Sequence, residues 1–162
     1  LKLRKCPAAG LVQTISFTPR QTVTDKAAQT CDERQFERMH EVYRRSGGLA
    51  SGDSIVYHLR TRCDQPISTL ARWIANRSIV AFEWRGAQRI PLFQFSDECT
   101  ILLPAVTAAM RELNDVFTDW EIATWFASPN EWLLDQWPCA VIHRDPSEVV
   151  GAARAARFIA QG

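Results

Sequence analysis

Phe36, Met39, His40 and Tyr43 recur at spacings of three and four, so they share one helical face. Asp32, with Gln35 three positions on, predicts the start of that helix, and Gly47-Gly48 predicts its end. Ser51 or Asp53 predicts the cap of a second helix carrying Ile55, Val56 and Leu59. Asp64-Gln65-Pro66 breaks the chain. Ser68 then predicts the cap of a third helix over Leu70, Ala71, Trp73 and Ile74, ended by Asn76 or Arg77. Two short helices across a tight polar break have the length of a helix-turn-helix. The period next falls to two. Ile79, Ala81 and Glu83 alternate with Val80, Phe82 and Trp84, Gly86 lies in the following break, and a second run reaches Phe95. This predicts a β-hairpin whose second strand Pro91 demotes to an edge.

Beyond Asp97 the period is again helical. Pro104 in a first turn starts a helix with Val106, Met110 and Leu113 on one stripe. Asp119 predicts the cap of a helix over Trp120–Ala127, with Trp120, Ala123, Thr124 and Ala127 along one side. Asn130 predicts the cap of a short helix over Glu131–Gln136. Pro138 restarts the chain before a short apolar turn at Ala140-Val141-Ile142. Asp145, Pro146 and Glu148 then predict a last helix ending near Phe158. Residues 1–31 are weakly patterned and read as a tail or arm, with a short strand at Leu11–Phe17. The expected fold is mainly α. A small helical domain with a β-hairpin, winged helix-turn-helix-like, covers residues 32–95, and a compact helical domain covers 96–162.

Charge sharpens that division. Residues 1–95 hold 15 Lys and Arg against 8 Asp and Glu, a balance of +7, and residues 96–162 hold 4 against 10, a balance of −6. Such asymmetry predicts different partners for the two halves, or mutual attraction between them. The five cysteines are widely spaced with no C-x-x-C, which excludes a disulfide framework or a zinc site and suggests reduced thiols in a cytoplasm. No apolar segment follows the basic start LKLRKC, so no signal peptide is expected. No apolar run approaches the roughly 18 residues of a membrane span. Catalytic patterns are missing from the sequence too. It has no G-x-S-x-G, no P-loop and no G-x-G-x-x-G, and His40, His58 and His143 are isolated. Neither an enzyme, a cofactor nor a metal is expected; a cleft gathering His58 or His143 with a carboxylate would reopen that question.

Two binding classes remain. Residues 60–89 carry six arginines against Asp64 and Glu83. Arginine makes planar bidentate contacts with phosphate and with guanine edges. Ser68, Thr69 and Arg72 on the third helix, Arg77 at its end, and Arg85 and Arg89 flanking the hairpin turn are the candidate DNA contacts. The other class is protein binding. Trp120, Trp125, Phe126, Trp132 and Trp137 crowd into eighteen residues of the acidic half. At least three should form core, leaving one or two to anchor an interface.

The order of elements in the acidic half resembles the toxin-binding C-terminal domain of the MbcA/ParS/Xre antitoxins. Trp132-Leu133 follows Pro129-Asn130, and Pro138 comes four residues after Leu134. After these come the apolar pair Val141-Ile142, the Asp145-Pro146 helix start, Val149 and Ala152 in the helix, and a terminal Gly162. Ile90-Pro91-Leu92-Phe93-Gln94-Phe95 resembles the approach segment of members with an atypical N-terminal domain. The match covers about residues 90–162. It departs at Trp137, where the pattern has Gly, and at Val141-Ile142, where it has leucines. The resemblance implies a cytoplasmic type II antitoxin, dimeric through its C-terminal domain, that neutralises a RES-type toxin; with the candidate DNA contacts, repression of its own operon is a further expectation. It implies partner contacts from Trp125, Asn130, Trp132, Leu133, Arg154, Arg157 and Phe158. Arg154 and Arg157, three apart on one helical face, would enter an anionic pocket of the toxin. A DNA-binding regulator whose C-terminal half only dimerises is the alternative.

Overall fold

The computed structural model describes residues 23–96 and 101–162, with side chains from Asp32 on. Among these residues the fold is mainly helical, with seven α-helices and one three-stranded antiparallel sheet. In chain order the elements are α1 (Val23–Arg44), β1 (Leu49–Ala50), α2 (Gly52–Leu59), α3 (Pro66–Ala75), β2 (Phe82–Trp84) and β3 (Ala87–Pro91). Then follow α4 (Pro104–Leu113), α5 (Asp119–Phe126), α6 (Pro138–Val141) and α7 (Pro146–Gln161). Three-residue 3-10 turns lie at Leu92–Gln94 and Glu131–Leu133. No described helix is long and apolar enough to cross a membrane.

Helix α1 begins at Val23, not at Asp32, so the end of the expected 1–31 arm is helical. No Pro or Gly interrupts Val23–Arg44, and Asp32 is an exposed interior position. The strand expected at Leu11–Phe17 lies outside the described residues. Gly47 and Gly48 end α1 with φ of 106° and 94°. The Gly48 N–H donates to the Tyr43 carbonyl at 2.7 Å. A Cβ at Gly47 would sit 3.1 Å from Leu92 Cβ, so chirality and space both require glycine there.

Ser51 caps α2, its hydroxyl accepting from the Ser54 N–H at 3.3 Å. The expected Ser68 cap is corrected. Pro66 occupies the first turn of α3, Gln65 is the N-cap without a side-chain bond, and Ser68 lies inside the helix. Proline dictates this, because its fixed φ suits the first helical position and its missing N–H needs no cap there. The hairpin turn is Arg85-Gly86, both at positive φ (51° and 73°), which matches the twist of a two-residue connection.

Strand β3 is central, in the order β1-β3-β2, and this corrects the edge assignment drawn from Pro91. β1 pairs Leu49 with Pro91, and the Leu92 N–H donates to the Gly48 carbonyl at 2.9 Å. Toward β1, therefore, Pro91 needs no N–H. On the other side the fully buried Gln94 side chain does what proline cannot. Its Oε1 accepts from the Val80 N–H at 2.7 Å, and its Nε2 donates to the carbonyls of Val80 and Pro91, each at 2.8 Å.

The alternating residues ahead of the hairpin turn serve two cores. Val80 and Phe82 enter the larger one, with Met39 and Tyr43 of α1, Phe93, and the inner faces of α4, α5, α6 and α7. Ile79 and Ala81 enter the smaller one, with Ile55 and Leu59 of α2, Leu70 of α3, Ile90 and Phe95. Period two thus places successive side chains in different cores. Tyr43 closes the larger core, its hydroxyl donating to the Ala123 carbonyl at 2.6 Å. The stripe Val106, Met110 and Leu113 is buried as expected.

Three C-terminal boundaries move. Thr118, not Asp119, caps α5; its hydroxyl accepts from the Glu121 N–H while the Glu121 carboxylate accepts from the Thr118 N–H. The expected helix Glu131–Gln136 is only a 3-10 turn, because Leu134 and Asp135 adopt left-handed φ of 56° and 59°. Asp145 does precede Pro146, but its carboxylate pairs with Arg144 at 2.6 Å rather than with a helix N–H. α7 runs past Phe158 to Gln161.

Candidate functional site

The six N-terminal candidates do not form one basic face. Ser68 and Arg72 stand exposed one turn apart on α3. Thr69 is half-buried, its Oγ1 3.2 Å from the Cys63 thiol. Arg77 is turned inward as a clamp. Its Nε donates to Asp119 at 2.8 Å, Nη1 to the Asn114 carbonyl at 2.7 Å and Nη2 to the Phe117 carbonyl at 2.8 Å. The Asn114 side chain returns a bond to the Arg77 carbonyl at 2.9 Å. Arg85 is ion-paired with Glu33 of α1, its guanidinium 5.7 Å above the Trp84 ring. Arg89 is half-buried on β3.

The hairpin tip is not a free wing either. Trp84 stacks on Phe36 of α1, with centroids 4.4 Å apart, and on Trp120 of α5, 5.5 Å apart. These contacts, with the Arg85–Glu33 pair, fasten the tip to the helical body. Counting arginines along a stretch of chain could not reveal this. The acids that meet Arg77 and Arg85 lie 42 and 52 positions away.

The C-terminal candidates divide differently. Phe126 is buried, and Trp120, Trp125 and Trp137 pack partly buried against the larger core. Trp132 is 66% exposed. Leu133 is buried, so of the expected contact pair only Trp132 reaches the surface. Asn130 is occupied as a cap, its side-chain oxygen accepting from the Trp132 N–H at 3.0 Å. Phe158 is 76% exposed in the last turn of α7. Periodicity missed three further exposed residues, Ile101, Leu134 and Ile159. Leu134 faces solvent because its left-handed backbone turns it away from the face that buries Leu133. The 3-10 turn carrying Trp132 packs against α7, and α7 against α4.

Arg154 and Arg157 do share a face, and both meet one acid that the sequence did not single out. Arg154 Nε lies 3.2 Å from Glu112 Oε1, and Arg157 Nη1 lies 2.7 Å from Glu112 Oε2. Glu112 belongs to α4 and is largely covered, whereas Arg154 is mostly in solvent. One carboxylate serving two cations leaves a net positive charge beside the exposed end of α7.

Two of the clefts on the described surface lie between helices. One, of about 420 Å³, lies between α1 and α5 and is lined by Gln35, Arg38, Met39, Val42, Thr124 and Trp137. Gln35 donates to Thr124 Oγ1 across it at 3.1 Å. Nearby, Arg44 and then Arg45 hold the Glu41 carboxyl down at about 2. Behind it, burial pushes the Cys139 thiol up to about 11. It also pushes the Tyr43 hydroxyl well above its ordinary range, with the Cys139 charge adding to the effect. The other cleft, of about 540 Å³, runs between α2 and α3. His40, His58 and His143 are exposed, and among the described residues no three His, Cys, Asp or Glu side chains gather as metal ligands. No family model, curated protein or solved structure matches the chain.

Proposed function

We propose that this chain is an antitoxin-type binding protein whose C-terminal face neutralises a RES-type toxin. The observation that carries the reading is the set Trp132, Leu134, Phe158 and Ile159. These large apolar side chains stay in water on a turn and a helix that pack together. A partner surface that covers such residues gains their burial, and tryptophan is a favoured anchor. Arg154 and Arg157 add positive charge beside them, and their carboxylate-paired geometry suits exchange to an anionic site on the partner. The order of elements resembles the MbcA/ParS/Xre C-terminal domain and supports the same reading.

DNA binding is the second reading, favoured by topology. The order α1-β1-α2-α3-β2-β3 with strands in the order β1-β3-β2 is compatible with a winged helix-turn-helix, in which α3 would be the recognition helix. Ser68 and Arg72 are the candidates such a helix offers.

Co-expression with the product of the neighbouring gene tests the proposal. The expected result is a stable complex that restores growth, and loss of protection when Phe158→Asp or the pair Arg154→Ala, Arg157→Ala is introduced. A toxic neighbour that is neither bound nor neutralised sinks the antitoxin reading. Retained, salt-dependent DNA affinity that Arg72→Ala abolishes would then favour the regulator.

A further inference from the structure

The cleft between α2 and α3, of about 540 Å³, is lined mainly by apolar side chains. Val56 and Tyr57 of α2 and Ile67, Leu70, Ala71 and Ile74 of α3 line it, with Asp53 and Arg60 at its ends. Tyr57 and Ile67 are about two-thirds exposed, although each sits within reach of apolar neighbours. Asp53, Val56, Tyr57 and Arg60 follow the i, i+3, i+4, i+7 pattern and so form one stripe. Ile55 and Leu59 point the other way, into the smaller core. The stripe is therefore an outward face of α2, acidic at one end, apolar in the middle and basic at the other.

Such a stripe is complementary to itself when reversed. Seven residues separate the two charges, roughly 10 Å along the axis. If a second α2 lies antiparallel with a two-fold axis at Val56–Tyr57, Asp53 of each copy faces Arg60 of the other. The apolar residues of both copies meet between the two pairs. Among the described residues neither the Asp53 carboxylate nor the Arg60 guanidinium has a partner within one chain. A two-fold contact is isologous, so one patch suffices for both sides.

We propose that the occupant of this cleft is a second copy of the chain, forming a two-fold dimer through α2 with reciprocal Asp53–Arg60 pairs. This interface uses α2, whose inner face packs in the smaller core, and no residue of α7. It is independent of the toxin-binding reading and places the two-fold axis away from the C-terminal domain. Ser68 and Arg72 of α3 are not among the residues that line the cleft.

Sedimentation velocity of the full chain over a concentration series is the test. The wild type is expected to dimerise reversibly. Asp53→Arg alone, and Arg60→Asp alone, set like charges against each other and should weaken the dimer by about tenfold or more. The double swap Asp53→Arg, Arg60→Asp restores opposite pairs and should recover most of the affinity. Tyr57→Glu, at the axis, should abolish dimerisation while the circular dichroism spectrum keeps its wild-type helical shape. It serves as the second probe if a charge swap disturbs α2. A wild type that stays monomeric at every concentration overturns the proposal. A dimer that the single swaps and Tyr57→Glu leave unchanged also does so, since its axis then lies elsewhere. Failure of the folded double swap to recover what the singles lose overturns the reciprocal pairing.

Discussion

The region around the sheet draws polar side chains inward, and the turn at Trp132 with the end of α7 leaves apolar ones in solvent. Gln94 is fully buried and meets three backbone groups of Val80 and Pro91. Arg77 reaches Asp119 and two carbonyls with three separate nitrogens. Trp132, Leu134, Phe158 and Ile159 do the opposite and stay in solvent. The two kinds of misplaced residue carry different meanings. A buried polar group survives only with its partners, so its satisfied bonds mark a role in the fold. An exposed apolar group gives the fold little, so a cluster of them on adjoining elements marks a surface that something else covers.

Breaking the buried side of this contrast should have the largest effect. Gln94→Leu keeps the volume but strands the Val80 N–H and the carbonyls of Val80 and Pro91. It should lower stability by about 3–5 kcal/mol in urea unfolding. Gln94→Glu keeps an acceptor for the Val80 N–H but sets a buried carboxylate oxygen against two carbonyls, so it should be at least as damaging at neutral pH and recover as acid protonates it. If Gln94→Leu is neutral, the splice beside Pro91 is not what holds β3 in the middle of the sheet.

Arg77→Ala should come next, at about 2 kcal/mol, because it unpairs two carbonyls of the α4–α5 connection. Arg77→Lys should recover little of this, since an ammonium lacks the planar fork that reaches three acceptors. The Asp119 contact is partly exposed and contributes the smaller share.

Alkaline pH probes the larger core. Burial raises the Cys139 thiol from its ordinary 9.0 to about 11. A raised value means that the folded state holds its proton while the unfolded chain releases it. The stability it supports is complete below about pH 9 and declines as pH rises toward about 11, by on the order of 2 kcal/mol. Urea midpoints measured across that window should fall, and Cys139→Ala should flatten the decline.

The exposed residues should give the smallest stability change and so sharpen the contrast. Trp132→Ser and Phe158→Ser should each shift unfolding by no more than about 0.5 kcal/mol. In complex with a partner, the same changes should cost about 2 kcal/mol or more as anchors. A large loss of stability from either would move that residue to the structural side.

Much of the local architecture was legible in the residues themselves. Pro104 and Pro146 open their helices, Gly47-Gly48 close α1, Asn130 caps its turn, and Gly86 marks the hairpin break, although Arg85, read as flanking the turn, is part of it. Thr118-x-x-Glu121 was equally readable, but Asp119 competed with it as a cap. Each signal acts over a few positions, through fixed φ, a missing N–H or a side chain bonding its own backbone. Periodicity likewise separated Val80 and Phe82 from Ile79 and Ala81, although not the two cores that receive them.

Tertiary structure alone decided the rest. Pro91 sits in a central strand because a glutamine three residues later replaces its missing donor. Leu133 is core and Leu134 is surface because a left-handed turn separates neighbours that look equivalent in sequence. Arg77 and Arg85 face the body of the fold because Asp119 and Glu33, far away in the chain, are brought to them. Sequence specified where backbone hydrogen bonds begin and end, since those are settled within a turn or two. Which charges and rings remain free depends on distant groups meeting, and only the packed chain fixes that.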